Sequence, residues 1–283
     1  MATTLPEPIA VAEPPSPRPL VFRHRLSTRL WHWLNALTVI VMLMSGLMIF
    51  NAHPRLYWGQ YGANFDTPWL QIGGTPTTGF VEIGRTRIGT TGWLGHWKDS
   101  QGAVQTRAFP WWATIPSTYN LAAARRWHLA FAWLLVVPGL LYWLWSFANG
   151  HIRRDLAPTR AELAPRHIWR DIKDHARLRF PAGEAALKYN ILQKLAYGSV
   201  LFGLLPLLVL TGLTMSPAMD AAWPWLPALF GGRPSARSIH FLCAAGMVAF
   251  ILVHLLMVLL AGPFNEVRSM ITGRYRLPKE RGE

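Results

Sequence analysis

Residues 239–260 read IHFLCAAGMVAFILVHLLMVLL. The stretch contains no Asp, Glu, Lys or Arg, and as an α-helix it is long enough to cross the hydrocarbon core of a bilayer, roughly 30 Å thick. Its two histidines, His240 and His254, are 14 positions apart and would lie on the same side of a helix at two depths. Because a histidine inside a bilayer is costly, each is expected to have a partner and a function.

Three further runs have the same character. The chain has 283 residues, of which 51% are hydrophobic and 15% charged, and the charges lie almost wholly outside the four runs. The other three runs are Leu30–Phe50, Trp127–Phe147 and Leu195–Ser216. Four such segments would be rare in a soluble protein, so we expect an all-α membrane protein, a bundle of four transmembrane helices.

The basic residues predict the orientation of this bundle. The N-terminal stretch, residues 148–194 and the C-terminal tail hold 19 Lys and Arg, against 9 in residues 51–126 and 217–238. Since cytoplasmic segments carry the excess of positive charge, both termini are expected in the cytoplasm. The net charge of +14 is then mostly a topology signal on a protein in contact with lipid, and nucleic acid is not an expected partner.

The chain divides into a short lead, one membrane domain and a tail. The Pro-rich residues 1–20 are expected to be a disordered cytoplasmic lead rather than a cleaved signal peptide. Residues 21–265 would form the four-helix domain, with an outer loop at 51–125 and a cytoplasmic loop at 148–190. Residues 266–283 would form a basic cytoplasmic tail.

Both long loops are predicted to contain structure. The outer loop is rich in tryptophan, which suits a membrane or a protein interface, and we expect it to be ordered. In the cytoplasmic loop, residues 166–178 have apolar positions near helical spacing, which predicts a short helix on the membrane surface.

The topology pairs the histidines by depth. The first helix would run outward, so His32 lies near the cytoplasmic side, whereas the second would run inward and place His128 near the outer side. His240 and His254 lie near the outer and inner sides of the fourth helix. The expected pairs are therefore His128 with His240 and His32 with His254.

Two facing imidazoles suit haem iron. A tetrahedral metal would need further Cys, His or carboxylate ligands, whereas haem needs only two axial ligands because its macrocycle supplies four. The single cysteine, Cys243, excludes a disulfide or covalent c-type haem attachment within the chain. Two b-type haems are thus expected, and the alternative function of the histidines is hydrogen bonding between helices or a proton path.

Glycines and arginines complete the candidate sites. Glycine permits a flat macrocycle to approach a helix backbone, although small residues also serve plain helix packing in membranes. The glycines at suitable positions are Gly46, Gly139, Gly198 and Gly212. Arginines at the membrane edges could bind haem propionates or only extend toward water. They are Arg125, Arg126 and Arg237 at the outer edge, and Arg25 and Arg29 at the inner edge.

A weak internal repeat links the two halves of the chain. The first run ends Ser45-Gly46-Leu47-Met48 and the third ends Thr211-Gly212-Leu213-Thr214. The second opens Arg125-Arg126-Trp127-His128 and the fourth opens Arg237-Ser238-Ile239-His240. This pattern favours two related helix pairs.

The chain resembles the bacterial dihaem cytochrome b membrane subunits over residues 20–280. This group includes the b-type subunits of nickel–iron hydrogenases, the gamma subunits of formate dehydrogenase, thiosulfate-reductase cytochrome b and bacterial cytochrome b561. The resemblance is carried by Arg29-Leu-Trp-His32-Trp33, Arg126-Trp-His128, Tyr189-Asn-Ile-Leu-Gln193-Lys, Thr211-Gly-Leu and the His240…His254 pair.

The resemblance implies a function in a respiratory chain of the bacterial inner membrane. Such subunits are four-helix bundles with two b haems that pass electrons between a quinone and a partner enzyme on the outer face. It implies a quinone near the inner haem, and the nearby polar candidates are Asn35, Asn190, Gln193 and Lys194. The outer loop is long for the group, and its composition, together with helices that resemble those of thiosulfate-reductase cytochrome b, favours a periplasmic molybdenum oxidoreductase as partner.

Two other functions stay open at this point. One is a stand-alone quinol oxidase that reduces a small oxidant such as superoxide, and the other is a haem-free transporter or anchor. No acid–base pair, nucleophile triad or phosphate-binding loop occurs in the sequence, so no side chain is expected to be catalytic and the chemistry must come from cofactors.

Overall fold

The structure is a computed structural model that describes residues 20–179 and 183–277. The N-terminal lead expected at 1–20 falls outside the described residues apart from Leu20, as does the end of the tail. Four helices of the described chain are long and apolar enough to cross a membrane: α1 (Leu26–Phe50), α2 (Leu121–Ala148), the segment Ile191–Thr214, and α8 (Arg233–Ala261). The predicted fold class is confirmed.

The third spanning segment is not a continuous α-helix. It comprises α4 (Ile191–Ser199), a π-helical turn (Val200–Leu204) and α5 (Leu205–Thr214). Pro206 lies at the start of α5 and cannot donate a backbone hydrogen bond to the preceding turn. The widened turn is therefore found where the proline interrupts the helix ladder.

The four helices form two antiparallel pairs. The first spanning helix packs against the second, and α5 packs against α8. Large apolar side chains on the sides of the bundle remain exposed, such as Trp133 (70%) and Leu252 (63%). A continuous exposed apolar surface of this kind is what lipid covers in a membrane protein.

The connection between α1 and α2 is ordered, as predicted. It contains a four-stranded antiparallel sheet in the order β2-β3-β4-β5 and a small hairpin of β6 and β7. The bounds are β2 (Arg55–Leu56), β3 (Leu70–Gly74), β4 (Gly79–Ile83), β5 (Thr86–Gly89), β6 (Trp97–Lys98) and β7 (Val104–Gln105). Phe50 at the end of α1 joins Leu56, Leu70, Ile72 and Ala108 in a small apolar core. We call this end of the bundle the outer end.

Three residues of the first turns of α8 hold this outer loop in place. Arg237 donates to the carbonyls of His53 and Arg55 at 2.5 and 3.3 Å. The Ser238 hydroxyl donates to the Tyr57 carbonyl at 2.6 Å and accepts from the Trp69 indole at 2.9 Å. Ser235 bonds the backbone of Gly59. The loop is thus attached to the helix that carries His240.

The remaining helices lie at the two ends of the bundle. Short helices α6 (Pro217–Ala222) and α7 (Trp225–Leu229) connect α5 to α8 at the outer end. At the opposite, inner end, α3 (Pro165–Ala176) confirms the short helix predicted in the connection between α2 and α4. Gly262, in a left-handed conformation with φ of 109°, ends α8, and α9 (Pro263–Thr272) follows.

The two termini of the described chain meet at the inner end. Strand β1 (Leu20–Phe22) pairs with β8 (Arg274–Arg276) in antiparallel register. Arg23 forms a two-pronged ion pair with Glu266 of α9, with distances of 3.0 and 3.3 Å, and lies 4.2 Å over the ring of Tyr275. Part of residues 266–283, which the sequence predicted to be a separate tail, therefore packs against the start of the membrane domain.

The ion pair between Lys194 and Glu162 predicts a pH-dependent contribution to stability. It joins the start of the third spanning segment to the preceding connection at 2.8 Å. Hydrogen bonds from Lys194 and from the Thr159 backbone lower the pKa of Glu162 from 4.5 to about 2. A carboxyl group with a lowered pKa stabilises the folded state above its unfolded pKa, and the contribution is lost as the pH falls through the folded pKa.

We therefore expect Glu162→Gln to lower the free energy of unfolding at pH 7 by at most about 1 kcal/mol, and so to lower the midpoint of thermal unfolding. The difference from the unsubstituted protein should shrink between pH 4.5 and pH 2. Thermal unfolding of both detergent-purified proteins, followed by circular dichroism at each pH, measures this difference. Glu82→Gln is the control, because its Arg87 partner is 61% exposed. Equal effects of the two variants would contradict the prediction.

Candidate functional site

The outer end of the bundle brings His128 and His240 together. His128 lies in the second turn of α2 and His240 in the second turn of α8, and their ring centres are 6.3 Å apart at an interplanar angle of 59°. The two helices belong to different helix pairs. The site therefore forms only when the pairs associate.

A hydroxyl group from the neighbouring helix contacts each outer histidine. Nδ1 of His128 lies 3.1 Å from both the Ser45 hydroxyl and the Met42 carbonyl of α1. Nδ1 of His240 lies 3.0 Å from the Thr211 hydroxyl of α5, and the Leu208 backbone is a further hydrogen-bond partner. In both rings Nδ1 is engaged by protein, which leaves Nε2 as the nitrogen for a ligand.

Gly46 and Gly212 provide the space for these rings. A Cβ atom at Gly46 would lie 3.4 Å from Cε1 of His128, and one at Gly212 would lie 3.5 Å from Cε1 of His240. The two glycines are the residues that follow Ser45 and Thr211. Alanine would make an ordinary contact at either position, whereas any larger side chain would compete with the imidazole for space.

His32 and His254 meet at the inner end in a similar arrangement. Their ring centres are 6.2 Å apart with an interplanar angle of 54°. His254 stacks on Phe250 with the rings 15° from parallel, and His32 meets Trp33 edge-on. Nδ1 of His32 is buried and has no hydrogen-bond partner among the described residues. Aromatic contacts thus surround the inner pair where hydroxyl groups hold the outer pair.

The spacing of both pairs fits a metal ion with one imidazole on each side. A metal bonded to one ring nitrogen per side, at about 2 Å per bond, separates the two ring centres by roughly 6 Å. Within the described residues, no group of three or more His, Cys, Asp or Glu could hold a metal ion. Each pair therefore suits an ion whose remaining ligands come with it, which is the case for haem iron.

The other two candidate glycines have different surroundings. A Cβ at Gly198 would meet no atom within 4 Å beyond its own helix backbone, so the helix surface there is open. A Cβ at Gly139 would lie 3.1 Å from the indole of Trp31, whose ring stacks on Tyr142. In the described structure Gly139 provides space for a tryptophan of α1.

The candidate arginines divide into engaged and exposed side chains. The guanidinium groups of Arg237 and Arg29 donate to backbone carbonyls, those of His53 and Arg55 for Arg237 and that of Ile271 for Arg29. Arg125 and Arg126 are exposed at the start of α2, and Arg25 is exposed before α1. The exposed three are available to an acidic group at the bundle edge.

His24 lies at the inner edge close to the positive groups of this region. Burial lowers its pKa to about 4, and the charges of Arg23, His32 and Arg29 act in the same direction. The imidazole of His24 is therefore neutral at physiological pH.

Three of the four polar candidates near the inner end have structural contacts. Asn190 and Gln193 form a reciprocal capping box at the start of α4, and Lys194 pairs with Glu162. Asn35 differs, because its side-chain oxygen is buried and has no partner among the described residues. Asn190 and Gln193 thus serve to start a helix in the described structure.

Ser45 and Thr211 are the site residues that the sequence reasoning missed. Their positions in the repeat Ser-Gly-Leu and Thr-Gly-Leu were noticed, but only the glycines were assigned to the site. Hydroxyl side chains in an apolar helix are often satisfied by their own helix, so the sequence alone does not reveal their contact with a histidine.

The family of the chain follows from comparison with known proteins. The profile of prokaryotic cytochrome b561 matches residues 23–273. The chain is 28% identical over 232 residues, 82% of its length and 87% of the other protein, to YedZ1 of Azospira oryzae, whose name describes a protein-methionine-sulfoxide reductase subunit. No solved structure matches the chain. The matched region includes all four spanning helices and all four paired histidines, and the chain belongs to the prokaryotic cytochrome b561 family.

Proposed function

We propose that this protein is a membrane subunit that holds two b-type haems and moves electrons between the quinone pool and a periplasmic oxidoreductase. The observation that carries the proposal is the presence of two histidine pairs, with ring centres 6.3 and 6.2 Å apart, at opposite ends of one bundle. Within the residues that the structure describes, each pair offers two imidazole ligands and no third His, Cys, Asp or Glu. Membership of a cytochrome b561 family, which implies b-type haem, supports the same assignment.

His128 and His240 would hold the outer haem, and His32 and His254 the inner one. Bound haem supplies a one-electron ferric–ferrous couple. The helices contribute the positions of the imidazoles, and the apolar bundle excludes water from them. The open surface at Gly198 provides space on the third spanning segment, and Arg126 and Arg125 are free to bind propionates at the outer end.

The inner pair is the proposed point of exchange with the quinone. Asn35 lies about one helical turn after His32, and its side-chain oxygen, buried without a partner in the described part of the chain, makes it the preferred candidate of the four polar residues. Both termini and the α2–α4 connection, with their excess of Lys and Arg, are proposed to lie on the cytoplasmic side.

The partner enzyme is proposed to act on the periplasmic side. Similarity to YedZ1 supports a reductase of methionine sulfoxide in proteins, and we retain a molybdenum enzyme as the class of partner. Exposed aromatic side chains of the outer loop, among them Trp58 (53%), Tyr61 (83%) and Phe65 (101%), offer a surface on this side. Aromatic residues of this kind commonly anchor protein interfaces.

A stand-alone quinol oxidase is the second candidate function. It is favoured by the attachment of the outer loop to α8 through Arg237 and Ser238, because such a loop could cover the outer haem. The two functions differ in whether the protein forms a stable complex with a periplasmic partner. A periplasmic protein that copurifies with the tagged chain and accepts its electrons supports the subunit, whereas a haem-loaded chain without a partner that reduces superoxide supports the oxidase.

The haem content tests the proposal directly. A dithionite-reduced minus oxidised spectrum of the detergent-purified protein should show b-type haem, and pyridine haemochrome titration should give two haems per chain. Because the two sites have separate ligands, a result of two haems per chain supports both the outer and the inner site. A chain without haem would overturn the proposal and leave the histidines as hydrogen-bonding or transport groups.

The ligand pairs predict the loss of one haem at a time. His254→Ala should remove the inner haem and spare the outer one, since the outer pair contains neither His254 nor His32. Haem per chain should fall from two to one, with one of two midpoint potentials missing. His96→Ala is the matched control, because His96 lies in the outer loop and bonds the Pro76 carbonyl. Two haems in His254→Ala would refute this pairing.

Side-chain size at Gly212 should decide the occupancy of the outer site. Gly212→Ala should retain both haems, because its Cβ fits at 3.5 Å from the His240 ring. Gly212→Leu should displace that ring and lower the outer haem content, while the inner haem stays. Gly203→Leu is the control in the same segment, since a Cβ there meets nothing within 4 Å. Equal spectra and potentials for all three would mean that Gly212 serves helix packing alone.

A further inference from the structure

We propose that Ser45 and Thr211 are positioning residues that accept a hydrogen bond from Nδ1 of the outer histidines and thereby lower the reduction potential of the outer haem. The inference rests on the proposed function, because it concerns the haem that His128 and His240 would hold. The inference goes beyond the proposed function because it assigns an effect on the reduction potential to two hydroxyl groups that would not bind the iron.

The first step is to locate the single proton of each hydroxyl. Oγ of Ser45 lies 2.7 Å from the Val41 carbonyl, and Oγ1 of Thr211 lies 2.5 Å from the Leu207 carbonyl. A carbonyl oxygen only accepts, so each hydroxyl donates its proton to its own helix. The oxygen is then left with acceptor capacity toward the neighbouring imidazole.

The second step assigns the proton on each ring. Since the hydroxyl oxygen accepts, Nδ1 of His128 and Nδ1 of His240 must donate. The Met42 carbonyl, 3.1 Å from Nδ1 of His128, requires the same protonation independently of the hydroxyl. Both rings therefore carry hydrogen on Nδ1 and a lone pair on Nε2, the tautomer in which Nε2 binds a metal.

The two helix pairs build this contact in the same way. Met42, Ser45 and Gly46 in α1 correspond in spacing to Leu208, Thr211 and Gly212 in α5. In each triplet the first residue offers a backbone carbonyl, the second a hydroxyl, and the third lacks a side chain that would keep the imidazole away. The internal repeat of the sequence is thus explained by one contact made twice.

The inner pair provides a comparison within the same molecule. Nδ1 of His32 is buried without a partner among the described residues, so it has no equivalent of the Ser45 or Thr211 contact. Changes to the two hydroxyls should consequently affect the outer haem alone.

The expected effect on the outer haem has a definite sign. A hydrogen bond from Nδ1–H makes the imidazole a stronger donor to iron, which favours the ferric form. Loss of the hydroxyl leaves each Nδ1–H with a backbone carbonyl as its acceptor, which weakens this effect and should raise the midpoint potential of the outer haem. A tenfold change in the ferric–ferrous equilibrium corresponds to about 59 mV for one electron, and we expect a shift of this order for Thr211→Val.

The experiment compares four variants of the full-length protein, purified in detergent. Thr211→Val keeps the shape of the side chain and removes the hydroxyl, and Ser45→Ala removes the hydroxyl beside His128. Thr211→Ser restores the hydroxyl with less volume. Thr38→Val is the matched control, because Thr38 is buried in α1 and its hydroxyl donates to the Leu34 carbonyl of its own helix. Each protein is assayed for haem per chain and titrated spectroscopically against potential.

The proposal expects one of the two midpoints to rise in Thr211→Val and Ser45→Ala, while the other midpoint stays as in the unsubstituted protein. Thr211→Ser and Thr38→Val should keep both midpoints. If Thr211→Val retains two haems with unchanged potentials, or if Thr38→Val produces the same shift, the inference is overturned and the proposed function stands. If the unsubstituted protein contains no haem, the proposed function fails and the inference fails with it.

Discussion

The outer half of the bundle depends on one hydrogen bond made twice, from an imidazole Nδ1–H to a hydroxyl group on the preceding spanning segment. Inside an apolar bundle an unpaired imidazole nitrogen has no water to replace its partner, so the contact constrains which helices can be neighbours. Ser45 ties α1 to α2 and Thr211 ties α5 to α8. The meeting of His128 and His240 then joins the two helix pairs across the bundle.

The outer loop is subject to the same constraint at the membrane edge. Arg237, Ser238 and Ser235 occupy the first turns of α8, where their side chains reach the outer loop. They bind the carbonyls of His53, Arg55, Tyr57 and Gly59. Because Arg237 is three residues before His240, the loop and the outer site share one rigid helix turn.

The sequence predicted the elements whose signal is long or periodic. Four uncharged runs predicted the spanning helices, and the histidine spacing together with the charge distribution predicted which rings would be near each other. The sheet of the outer loop was not predicted, because its strands are two to five residues long and are defined by pairing rather than by pattern. The contacts of Arg237 and Lys194 depend on the positions of distant backbone and side-chain atoms, which a motif does not contain.

The two histidine pairs differ in the hydrogen bonds of their ring nitrogens. At the outer end both histidines have hydrogen-bond partners on Nδ1, whereas at the inner end Nδ1 of His32, Oδ1 of Asn35 and Nε1 of Trp143 are buried without partners among the described residues. Trp143 follows Tyr142, which contacts Thr28 and Trp31, so it lies at the level of His32. Unpartnered donors and acceptors are costly unless a ligand binds them. A quinone has two carbonyl oxygens that accept from N–H groups, and its hydroquinone has hydroxyls that donate, so the polar chemistry left open at this end is that of the proposed substrate. The histidine pair that would exchange electrons with a mobile carrier contains a ring nitrogen without a partner among the described residues, whereas both histidines of the outer pair are bonded at Nδ1.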